Sequence, residues 1–110
     1  MTTLDELCGV IGGLGIKWTN AEWEPPDDLV APFIVLRRGR GTTSGANDLT
    51  WFNVAEYDIE LYTVHRNYEL ERTITNALDD AGIYFSDGGV WPHPSEGLME
   101  AVITVEVREN

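Results

Sequence analysis

The chain of 110 residues is poor in positive charge, cysteine and histidine, and it has no long apolar run. Seven Lys and Arg stand against nineteen Asp and Glu, a formal net charge of -12. That leaves no broad basic surface with which to neutralise nucleic-acid phosphates. The single cysteine, Cys8, allows neither an internal disulfide nor a cysteine-based zinc site. No stretch approaches the roughly 18 apolar residues of a membrane span. The opening MTTLDEL carries acid where a secretory signal carries a basic segment. These absences predict a soluble protein made in the cytoplasm, stabilised by packing or by assembly. Disorder is excluded by what is present: 43% hydrophobic residues, with four Trp, four Tyr and three Phe. One domain is expected over residues 1–110, because pieces of so short a chain would be too small to fold unaided.

Along the chain, Thr3 and Glu6 have the spacing of a capping box, and Leu4, Leu7, Cys8 and Ile11 recur at helical spacing until Gly12 and Gly13. Cys8 therefore falls on a core face as an inert thiol, with no His or Lys close by in sequence. From Gly15 to Pro32 the pattern is irregular, a connector pinned by Trp18 and Trp23. Phe33 to Leu36 is a short apolar run that fits a strand covered on both faces, and it leads into Arg37, Arg38 and Arg40. Gly39 to Asn53 is rich in Gly, Thr, Ser and Asn and reads as a projecting hairpin or arm.

Strict alternation follows from Val54 to Val64. Tyr57, Ile59 and Leu61 share one face of a half-exposed strand, and Glu56, Asp58 and Glu60 share the other. Asn67 caps a second helix with acid in its first turn, an apolar stripe of Leu70, Ile74, Ala77, Leu78 and Ala81, and Gly82 at its end. Asp87-Gly88-Gly89 interrupts the next strand region, which reads either as one bulged strand or as two short ones before a turn at Pro92, His93 and Pro94. Met99 to Val107 alternates as a last strand, more buried near Val102. The fold class expected is α+β: a small mixed, mostly antiparallel sheet of about four strands, with two helices packed on one face.

The residues give little catalytic signal. His65 and His93 read as surface or turn histidines, with no Cys, Asp or Glu at a metal-motif spacing. Gly9 to Gly15 and Gly39 to Gly45 lack the Gly-Lys-Ser/Thr ending of a phosphate loop and read as turns. Glu56, Asp58 and Glu60 are candidates for a divalent cation or for acid-base work, but same-face residues two apart lie about 7 Å from each other, too far to share a proton. A solvated face or a subunit contact is the favoured reading. Arg37, Arg38 and Arg40 hold three of the seven positive charges. They read either as a charged strand end that blunts edge pairing or as the contact for the Glu56, Asp58 and Glu60 face of an identical neighbour, a head-to-tail pairing that would close a ring.

One series of segments is recognisable as a whole. Ala31-Pro32-Phe33-Ile34-Val35-Leu36 is followed by Tyr57 to Thr63, Tyr68-Glu69-Leu70-Glu71, Ala77-Leu78, Gly82 to Phe85, Ser95-Glu96 and Val102 to Val107. In order and spacing this series resembles the tail terminator or tail completion proteins of long-tailed phages, most nearly the small versions from phages and prophages of Gram-positive bacteria. The resemblance implies an α+β virion protein that assembles in the host cytoplasm. It implies a homo-oligomeric ring, typically a hexamer, on the head-proximal end of the tail tube. There such a ring stops tube polymerisation and presents a docking surface to the head connector. The implied partners are further copies of the chain, the tail tube protein and the connector, with DNA passing through unbound and no membrane contact. No catalytic residue, cofactor or metal is implied. The Arg37 to Arg40 cluster, the 39–53 loop and the His93 turn have no counterpart in the family pattern.

Other classes fit the acidity. A DNA mimic blocking a DNA-binding protein would use carboxylates in place of phosphates, although Arg37, Arg38, Arg40, Arg66 and Arg72 interrupt the acid in mid-chain. Another head-to-tail adaptor would share the size and charge, and a metal-dependent enzyme is the third alternative.

Overall fold

Thr3 opens the first helix, α1 (Leu4–Gly12), through the capping box read from the sequence: its hydroxyl accepts from the Glu6 amide at 3.2 Å, and the Glu6 carboxylate accepts from the Thr3 amide at 3.3 Å. The structure, a computed structural model, describes residues 2–20, 30–39 and 54–108. Arg40, Trp23 and nearly all of the predicted 39–53 arm lie outside the described residues.

After α1 come β1 (Lys17–Asn20), β2 (Phe33–Arg38), β3 (Val54–Thr63), α2 (Tyr68–Asp80), β4 (Phe85–His93) and β5 (Leu98–Arg108). The strands form one mixed sheet in the order β1-β2-β3-β5-β4. The β1–β2 pair is parallel and every other pair is antiparallel. Among the described residues the fold is thus α+β with two helices and a sheet of five strands, where about four were expected. The additional strand is β1, inside the stretch read as a connector. Its sequence, Lys-Trp-Thr-Asn, is short and polar, and it becomes a strand by pairing with β2 over four residues.

Asn67 caps α2 by accepting from the Leu70 amide at 3.0 Å. Gly82 ends it at φ +73°, with the Gly82 amide donating to Asp79 O at 3.0 Å and the Ile83 amide to Leu78 O at 2.8 Å, a Schellman arrangement open to glycine without strain. The region around Asp87 to Gly89 is one strand with a register shift, so the bulged alternative is the correct one. His93 is the last residue of that strand rather than a turn residue between prolines.

Both helices cover the same face of the sheet. Leu7 and Ile11 of α1 and Ile74 and Leu78 of α2 join Ile34, Leu36, Tyr57, Ile59, Leu61, Ile103, Val105 and Val107 in one buried cluster. Cys8 packs at its edge, and burial, reinforced by Asp5, pushes its thiol above the ordinary range. Among the described residues, no helix is long and apolar enough to cross a membrane.

Candidate functional site: the opposite face of the sheet

Residues paired directly across strands share a face, so the register defines the face turned away from the helices as a grid. One row reads Lys17, Phe33, Tyr62, Glu100 and Trp91. The next reads Thr19, Val35, Glu60, Val102 and Gly89, and the third Arg37, Asp58, Thr104 and Ser86. Glu56 and Glu106 face each other in the last. The face therefore grades from aromatic at one end of the strands to acidic at the other.

The aromatic end is built by ring contacts. Phe33 and Tyr62 stack with centroids 5.0 Å apart, and the His93 ring lies 5.7 Å from Tyr62 on the other side. Trp91 lies against the backbone of the bulge. A Cβ added at Gly89 would come within 2.8 Å of the indole, and Gly89 itself sits at φ +106°. The glycine is thus required twice, by its backbone angle and by the ring above it.

The middle of the grid carries a polar network. Glu60 projects from the helix-free side of β3 yet is only 6% exposed. Arg37 Nε donates to its Oε2 at 3.0 Å, and the Tyr62 hydroxyl donates to its Oε1 at 3.2 Å. Burial, with Glu100 adding to it, pushes the Glu60 carboxyl above the ordinary range despite both donors. The Tyr62 hydroxyl is pushed up by burial and by the charges of Glu60 and Glu100. Arg37 is held more firmly cationic by its hydrogen bond to Glu60. On β5 and β4, Glu100 Oε1 and His93 Nε2 lie 2.6 Å apart, and Asp58 Oδ1 accepts from the Thr104 hydroxyl at 2.9 Å.

The six residues singled out from the sequence fall as follows. Glu56, Asp58 and Glu60 do share the side of β3 opposite Tyr57, Ile59 and Leu61. Glu60 is not solvated like a surface acid; it is buried under its own network. Arg37 forms an ion pair with Glu60 within one chain, Nε to Oε2 at 3.0 Å. Arg38 stands opposite Tyr57 on the other side of β2 and is exposed, and Arg40 lies outside the described residues.

Sequence reasoning missed the His93–Glu100 pair. The residues are seven apart, and only the β4–β5 register, turned through Pro94 to Gly97, brings them together. Among the described residues, no group of three or more His, Cys, Asp or Glu side chains is arranged to hold a metal ion. Comparison with known proteins finds no matching family model and no curated protein with a significant match.

Proposed function

We propose that the chain is a structural protein of a long-tailed phage that caps the head-proximal end of the tail tube as a homo-oligomeric ring, ends tube growth and offers a docking surface to the head connector. The observation that carries this reading is the ordered series of family-like segments between residues 31 and 107. Those segments fall in β2, β3, α2, the turn leading into β4, the turn between β4 and β5, and β5 itself, so the likeness follows elements that pack together in one sheet-and-helix unit.

The two ends of the sheet support the same reading. At the end where β2 begins and β3 and β4 finish, Val30, Val64, Tyr68 and Trp91 are exposed apolar side chains. At the other end stand Asp5 and Glu6 of α1, Asp79 and Asp80 of α2, and the facing Glu56 and Glu106, with the exposed Tyr84 among them. A subunit with two unlike contact surfaces suits a ring closed by rotation, which must accept a tube on one side and refuse another tube layer on the other. Exposed apolar residues gathered at one end are the signature of an interaction surface. Like charges placed directly across two strands cost stability, which gives the Glu56–Glu106 pair a purpose if DNA passes nearby: a negative wall repels phosphates and prevents sticking.

On this reading the carboxylates of the helix-free face line the channel, the partners are the tube protein and the connector, and the chain performs no reaction. The test is electron microscopy of tails assembled with and without the protein. Tubes of unregulated length, or finished tails unable to join heads, are expected in its absence. Tails of normal length that join heads would remove the reading.

A further inference from the structure

The network around Glu60 is unbalanced in charge and crossed by four strands. Arg37 comes from β2, Asp58, Glu60 and Tyr62 from β3, Glu100 from β5 and His93 from β4. Glu100 carries its charge on the same face, one row from Glu60, and His93 is already engaged with it at 2.6 Å. Among the described residues, Glu60 is ion-paired with the guanidinium of Arg37, and the Arg37 side chain is half exposed while that of Glu60 is nearly closed to water. Asp58 is the residue directly across from Arg37 in register, whereas the ion pair runs diagonally to Glu60. The guanidinium therefore has two carboxylates within its reach on β3, one buried and one more open to solvent.

We propose that Glu60 is a proton-operated switch on this face: uptake of one proton by its carboxyl in mildly acidic solution ends the ion pair with Arg37 and leaves the guanidinium to Asp58 and to whatever partner meets the face. The proton comes from solvent and no bond other than O–H is made. Burial makes the neutral carboxyl the better-tolerated form, and Tyr62 keeps its hydrogen bond to it in either state. The direction follows from linkage. A carboxyl held above its ordinary value in the folded protein binds protons more readily there than in the unfolded chain, so stability is greatest below the ordinary carboxylate value and falls as pH rises through the folded one.

Carbon-13 NMR of the Glu60 carboxyl in the intact protein, followed with the Arg37 Nε–H signal between pH 7.5 and pH 4, tests this directly. Glu60 is expected to titrate above the ordinary glutamate range. The Arg37 Nε–H signal is expected to shift over the same pH interval. Thermal melts supply the second readout: Glu60→Gln should raise the melting temperature at pH 7.5, and the gain should vanish as the pH approaches the ordinary carboxylate value. Glu60 titrating at or below the ordinary glutamate value, or an Arg37 signal indifferent to that titration, would overturn the proposal. Should Glu60→Gln fail to fold, the titration of the wild-type protein still decides.

Discussion

The two faces of the sheet are made from alternate residues of the same strands, yet they are held together by different physics. On the helix side, Ile59 and Leu61 enter a closed cluster of mainly aliphatic side chains with Leu7, Ile11, Ile74 and Leu78. One residue away on the same strand, Glu60 is about as well buried but must be matched by a guanidinium and a phenol. The first face is stabilised mainly by the burial of apolar volume. The second is stabilised by pairing and responds to pH.

The largest effect should come from the helix face. Ile59→Ala removes a fully buried side chain beneath both helices and should cost about 2–5 kcal/mol in urea unfolding, the range for large-to-small changes in a core that cannot collapse. A loss under 1 kcal/mol would show that the helices are not clamped on the sheet. Next comes the bulge on the opposite side. Gly89→Ala puts a methyl group against the Trp91 ring at a backbone angle that alanine resists, and should cost about 1–3 kcal/mol with a change in Trp fluorescence. Unchanged emission would mean the indole is not seated there.

Arg37→Ala leaves a buried carboxylate without its cation. Breaking a fully buried pair costs more, but this guanidinium is half exposed, so the expected loss at neutral pH is about 1–2 kcal/mol. The loss should shrink as the pH falls and the Glu60 carboxyl takes up its proton. The smallest effect is a gain: Glu106→Lys turns the like-charge pair with Glu56 into an attractive one and should add about 0.2–1 kcal/mol. In a ring that passes DNA, the same substitution should impair tail function while improving the isolated protein.

Much of the helix face was legible in the sequence because its signals are local. Thr3 and Glu6, Asn67 and Gly82 announce helix ends within a few residues, and the alternation from Glu56 to Leu61 fixes which side chains point inward. The other face was legible only in outline. That Glu56, Asp58 and Glu60 share a side follows from the strand period, but that Glu60 is buried and meets Arg37 depends on the β2–β3 register, set by pairing across 23 residues. β1 was invisible for the same reason, since Lys17 to Asn20 carry no alternation and are strand only because β2 lies beside them. His93 looked like a turn residue because prolines flank it, and only the hairpin with β5 gives it Glu100.

The most direct measurement is cryo-electron microscopy of intact tails at the head-proximal end. A closed ring of this chain is expected there, with the Glu56, Asp58 and Glu106 side of the sheet turned toward the channel and the apolar and acidic ends of the strands meeting different partners. A tail end without such a ring, or a ring whose acidic face lies on the outside, would contradict the assignment.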